Sequence, residues 1–104
     1  MVNIVENNNM TEINASEYAL IDFNATWCGP CKMLGPVVEE LSGDFAGKVD
    51  FYSVDVDDNP KLAGQYNVMN IPTLVLLKKG EKVAQTVGFQ PKPLLAKWIE
   101  GAMA

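Results

Sequence analysis

Strand-like and helix-like segments alternate nearly from one end of this sequence to the other, with no linker, internal repeat or low-complexity tract between them. Residues 2–5 suit a short edge strand. A helix is predicted next, with Asn9 as N-cap, Glu12 as its capping-box partner, and Met10 and Ile13 facing inward. Residues 18–24 read as a strand. The strongest helical pattern runs over residues 30–45, where Leu34, Val37, Val38, Leu41 and Phe45 recur on one face. Pro36 lies inside it; its ring meets the carbonyl of Lys32 and predicts a kink, with a stop near Gly47. Residues 51–56 are β-rich, and Asp57-Asp58-Asn59-Pro60 opens a short helix through Tyr66. Residues 73–77 and 82–87 form a hairpin turning at Lys79-Gly80. A last helix then opens at Pro91 or Pro93 and lines up Leu94, Leu95, Trp98, Ile99 and Ala102. The order is β-α-β-α-β-α-β-β-α. Strands separated by helices predict parallel pairing with helices on both faces, and the hairpin adds antiparallel strands. The expectation is a three-layer α/β domain, one domain over residues 1–104.

Charge and residue usage narrow the chemistry. The chain has 104 residues, 48% of them hydrophobic and 20% charged, inside the ordinary globular range. The longest apolar run, Leu74-Val75-Leu76-Leu77, is far short of the roughly 20 residues that cross a bilayer. Net charge is −5, and all eight bases are lysines. Without arginine there is no bidentate fork for phosphate or guanine, and an acidic surface repels a polyanion, so no nucleic-acid or membrane partner is expected. Histidine is absent. That removes Ser-His and Cys-His catalysis and imidazole-based zinc sites, and two cysteines cannot complete a four-thiolate site within one chain. From Met1 to Leu20 there is no Lys or Arg and no continuous apolar stretch, so no secretory signal is read and a cytoplasmic location is expected.

The two cysteines fall in Trp27-Cys28-Gly29-Pro30-Cys31-Lys32, between the end of a strand and the start of the best helix. A spacing of three places them one helical turn apart, where the sulfurs can meet. Unpaired N–H groups and the positive end of the helix dipole favour thiolate over thiol there, and such placement lowers a cysteine pKa from about 8.5 to roughly 3.5–7.5. Cys28, at the exposed start, is the expected nucleophile, and Cys31, one turn inside, the buried resolving thiol. Pro30 suits the first turn, and Gly29 leaves room beside Cys28 for an incoming disulfide. The intervening pair adds no positive charge, and a less stabilised thiolate is a poorer leaving group, which favours a reductant over an oxidant. The competing readings are half of a metal site shared between two chains, or two buried apolar residues. The strand-to-helix setting and the lack of other ligands weigh against both.

The segment Asp22-Phe23-Asn24-Ala25-Thr26-Trp27-Cys28-Gly29-Pro30-Cys31-Lys32-Met33 closely resembles the active-site segment of the thioredoxin family. Ile71-Pro72-Thr73 resembles the family's cis-proline segment, Gly88 its glycine after the last strand, and Pro36 its helix-kinking proline. The resemblance covers about residues 20–99. It implies the thioredoxin fold, with a central mixed five-stranded sheet between layers of helices. It implies a redox-active disulfide between Cys28 and Cys31, with electrons passed to client disulfides and no bound cofactor. By the same resemblance the partners are a thioredoxin reductase as donor and clients such as ribonucleotide reductase, peroxiredoxins and methionine sulfoxide reductases, the chain acting as a monomer.

Asp22 stands inside an apolar strand, Leu20-Ile21-Asp22-Phe23. A central strand covered on both faces desolvates a carboxylate and raises its pKa, which would suit it to take the Cys31 proton; the alternative is an acid on a solvated strand end. The resemblance favours the first reading, because the family carries a buried general base at the matching position. Pro72, if cis, would face the cysteines as in the family, with the backbone of Ile71 pairing with a client chain; the alternative is a trans proline starting a strand. Trp27, Gly29, Pro30, Ile71, Pro72 and Gly88 are then expected to form an apolar docking patch. Trp27 could instead be core, and Trp98 is read as core from its periodicity. Asp55, Asp57 and Asp58 are read as a strand end and helix cap, not a calcium loop, and Lys78, Lys79 and Lys82 as a solvated hairpin tip.

Three positions depart from many bacterial relatives: Asn24 replaces an aromatic residue, Ser53 a buried lysine near the general base, and Asn70 a glycine. Without the lysine, Asp22 is expected to be less stabilised as carboxylate. The leading expectation is a protein-disulfide reductase that serves as an electron carrier in redox homeostasis. The alternatives are a redox-independent binding module and a disulfide oxidase or isomerase on the same fold.

Overall fold

The computed structural model describes residues 1–104. Its elements are β1 (Val2–Ile4), α1 (Thr11–Ala15), β2 (Tyr18–Asn24), α2 (Gly29–Asp44), β3 (Asp50–Asp55), α3 (Pro60–Gln65), β4 (Thr73–Lys78), β5 (Glu81–Val87) and α4 (Lys92–Met103). The five strands form one mixed sheet in the order β1-β3-β2-β4-β5. β1 and β2 both run parallel to β3, whereas β4 is antiparallel to β2 and β5 antiparallel to β4.

The direction of β4 departs from the parallel pairing predicted for strands separated by helices. The reason is length. The 16 residues of α2 span about 24 Å, enough to carry the chain back along a strand, whereas the six residues of α3 span only about 9 Å. The chain therefore stays at the end of the sheet where β3 finishes, and β4 starts there and runs back. This brings residues 71–73 to the same end as the start of α2.

Alternation along β2 divides the core. Ala19, Ile21 and Phe23 point to one face and pack with Ile13 of α1 and Leu62 of α3. Leu20 points to the other, with Leu34, Val38 and Leu41 of α2 and Leu95 and Ile99 of α4. Asp22 therefore lies on the α2 side. Trp98 is partly buried against that second cluster, in keeping with its reading as core. Leu94, placed on the same face by periodicity, is instead 55% exposed, while its neighbour Leu95 is fully buried; successive helical residues are turned by about 100°, and the buried stripe follows Leu95 and Ile99.

Helix α2 carries Pro36 in its interior and ends at Asp44, with the turn beyond it made by Gly47 at φ +82°. Local details differ from expectation at the starts of the two short helices. At α1, Asn9 accepts a hydrogen bond from the Thr11 N–H at 2.9 Å, but its own N–H goes to the Glu6 carbonyl, so Glu12 closes no capping box. At α3, Asn59 makes no cap with its side chain. The cap comes from Asn8, whose Oδ1 accepts from the N–H groups of Lys61 (3.0 Å) and Leu62 (3.1 Å). Asn59 is fully buried and holds that loop in turn: its Oδ1 accepts from the Asn8 N–H at 2.8 Å, and its Nδ2 donates to the carbonyls of Val5 and Asp55. Asn8→Ala strands two helix-start donors and is expected to cost about 1–2 kcal/mol, while Asn8→Asp, which keeps the acceptor, should retain most of the stability. Urea midpoints at constant slope measure both.

Candidate active site

The site forms where β2 and β3 end and α2 begins. Cys28 is the N-cap of α2 with extended backbone (φ −91°, ψ 113°), and Pro30 occupies the first turn, where its missing N–H costs nothing. The Cys31 N–H points back at Cys28 Sγ at 3.2 Å. The two cysteines are joined in a disulfide with their Cα atoms 5.3 Å apart. A Cβ on Gly29 would meet nothing within 4 Å, so the space beside Cys28 is open.

Exposure does not separate the two thiols as expected. Cys28 is 5% exposed and Cys31 7%, because Ala25, Val56 and Ile71 close around the pair. Their surroundings do separate them. Cys28 Sγ lies 3.8 Å from the carbonyl oxygen of Ile71. Cys31, and not Cys28, lines a cleft together with Asp22.

The Ile71–Pro72 peptide bond is cis, Pro72 is buried and Ile71 half-buried. The Pro72 carbonyl accepts from the Gly88 N–H at 2.8 Å, which brings Gly88 to the same end of the sheet. Gly88 has φ +96°, a conformation that other residues rarely adopt. Trp27 is 68% exposed and is not core; its Nε1–H donates to Asp57 Oδ2 at 2.8 Å. Asp57 is thus a site residue and not the helix cap that the sequence predicts. Asp55 ends β3 in a side-chain turn, its Oδ1 accepting from the N–H of Asp57 at 2.8 Å. Parallel pairing of Asn24 with Asp55 places the residues just after each at one end of the sheet, a signal available once the pairing is known. Met69 and Phe89, which flank the Ile71-Pro72 and Gly88 positions in sequence, are exposed apolar side chains that no sequence pattern singles out.

Asp22 is 6% exposed. Burial pushes its carboxyl up to about 6, against a smaller opposing pull from the Asn24 side chain. Its Oδ1 is buried without a hydrogen-bond partner. The cleft it shares with Cys31 has a volume of about 370 Å³ and is walled by Asn24, Ser53 and Glu39 among others. No group of three or more acidic, Cys or His side chains is placed to hold a metal ion, and no helix is long and apolar enough to cross a membrane.

A disulfide closed across the first turn of a helix, beside a cis-proline and over a buried acid, defines a thiol–disulfide oxidoreductase. The sequence model of the thioredoxin family matches residues 1–101. The chain is 52% identical over 96 residues to a thioredoxin of Staphylococcus haemolyticus, covering 92% of both chains. It is 58% identical over 81 residues to a thioredoxin of Staphylococcus epidermidis and 56% over 81 residues to one of Staphylococcus aureus, in each case covering 78% of both. The chain belongs to the thioredoxin family. It is a protein-disulfide reductase with a redox-active cysteine pair, working on disulfide substrates and recharged by a reductase partner.

Proposed function

We propose that Cys28 is the attacking thiolate, Cys31 the resolving thiol and Asp22 its base. In the reduced protein, Cys28 Sγ displaces one sulfur of a client disulfide and forms a mixed disulfide. Cys31 then attacks Cys28 Sγ, giving its proton to Asp22; the client's second thiolate leaves and takes up a proton. Two electrons pass to the client, and Cys28–Cys31 is left oxidised. The observation that carries these roles is the division of surroundings: Cys28 faces the Ile71 backbone, and Cys31 shares its cleft with Asp22.

Client chains dock against Trp27, Gly29, Pro30, Ile71, Pro72 and Gly88. Exposure of Trp27, the open space at Gly29 and the Pro72–Gly88 hydrogen bond support this surface. Main-chain pairing at Ile71 makes recognition tolerant of client sequence. The 104 residues work as one domain, in the cytoplasm, as a monomer. The donor is a thioredoxin reductase, and the clients are reductive enzymes of the ribonucleotide reductase, peroxiredoxin and methionine sulfoxide reductase types.

Limited alkylation of the reduced protein with iodoacetamide near pH 7 tests the division of labour. Peptide mapping is expected to find the first label on Cys28, the more ionised thiol; first labelling on Cys31 would overturn it.

A further inference from the structure

The Asn24 side chain sits at a junction that the roles above leave unused. Its Nδ2 donates to the backbone carbonyl of Asp22 at 3.0 Å and to Ser53 Oγ at 2.9 Å. Both N–H bonds of the carboxamide are thereby occupied. Asp22 and Asn24, two residues apart on β2, share a face, and Ser53 of β3 is in register with Asp22. Asn24 and Asp22 line one cleft, and the carboxamide is near enough to pull weakly on the Asp22 carboxyl, yet both full hydrogen bonds of its Nδ2 go elsewhere and Asp22 Oδ1 is buried with no partner.

We propose that Ser53 holds the Asn24 carboxamide back from the Asp22 carboxylate, so that the Asn24–Ser53 pair is a positioning element setting how readily Asp22 takes and releases a proton. The pair touches neither cysteine in hydrogen-bonding terms and acts only through Asp22. Removing the Ser53 hydroxyl frees one N–H next to an unpaired carboxylate oxygen, and that N–H stabilises the ionised form. Removing the carboxamide takes away a dipole that already favours the ionised form. The two truncations thus push Asp22 in opposite directions. The other groups around Asp22 are accounted for. Helix α2 contributes Lys32, Glu39 and Cys31 to the cleft, β1 only Val2 and Ile4, β3 Ser53, and β4 sets Leu74 opposite Asp22.

The inference rests on Asp22 acting as base, but its test does not need turnover. The Asp22 carboxyl is followed by carbon NMR against pH in the oxidised protein, where neither cysteine titrates. Ser53→Ala is expected to lower the Asp22 midpoint by about 0.5–1 unit, about three- to tenfold in proton binding. Asn24→Ala is expected to raise it, and Ser53→Thr, which keeps the hydroxyl, to leave it at the parent value. A Ser53→Ala midpoint equal to or above the parent overturns the proposal, as does a Ser53→Thr midpoint that follows Ser53→Ala. If Asn24→Ala does not fold, the two Ser53 variants still decide. Failure of the base reading shows separately, as an Asp22→Ala protein that resolves mixed disulfides at the parent rate.

Discussion

Cys28→Ser is expected to abolish disulfide reduction, by at least about a thousandfold, while the fold persists. A serine hydroxyl at the same helix start is not ionised near neutral pH, so the attack on a client sulfur has no nucleophile. Cys31→Ser is expected to fail differently. Cys28 still attacks, but nothing displaces the client, and a mixed disulfide accumulates that mass spectrometry detects on Cys28. Insulin reduction, followed as precipitation of the freed chain, reads the first variant, and trapping reads the second. A redox-independent binding module would retain its function in the double serine variant, and a Cys28→Ser protein that still reduces insulin would contradict the assignment.

Asp22→Ala is expected to have two effects of opposite value to the protein. Its carboxyl has an ordinary pKa of 3.8 and is pushed up to about 6 in the fold by burial. The folded state then binds a proton more tightly than the unfolded state, so this group's stabilisation is fully present below pH 3.8 and lost as pH rises through about 6. Above that the carboxylate costs the fold about 3 kcal/mol. Removing it lifts that cost, so the stability of Asp22→Ala relative to the parent should rise by about 2–3 kcal/mol from pH 4 to pH 8. Urea melts at the two pH values measure this, and a difference that does not change with pH would contradict it. The same substitution is expected to slow resolution of the mixed disulfide at least about tenfold near neutral pH, less than the roughly hundredfold or more that a positioned base typically contributes. Solvent reaching Cys31 through the cleft substitutes for part of the base.

Much of this site is legible in the sequence because its chemistry is local. Two cysteines one helical turn apart after a strand, and an acid inside Leu20-Ile21-Asp22-Phe23, each carry their meaning within a few residues. The strands and helices are likewise set by apolar periodicity, with boundaries within a residue or two of those predicted for α2 and β2. What the sequence hides is what depends on distant partners. The cap of α3 comes from Asn8, 53 residues before Lys61. Asp57 holds the Trp27 indole across 30 residues. Cys28 is covered by Ile71, 43 residues away, and so loses the exposure its helix-start position predicts. The reversal of β4 follows from the short reach of α3 and not from any pattern within β4 itself. Asn24 and Ser53 stand out singly as departures, but only the register of β2 with β3 makes them a pair.

Gly29 and Pro30 supply no charge to stabilise the Cys28 thiolate further, so the dithiol should be a strong electron donor. The most direct test is the reduction potential of Cys28–Cys31, obtained by equilibrating the protein against defined dithiol buffers. A value below the roughly −220 to −260 mV of the cytosolic glutathione pool measured by extraction is expected. A value near or above that range would contradict a reductant and favour an oxidase or isomerase.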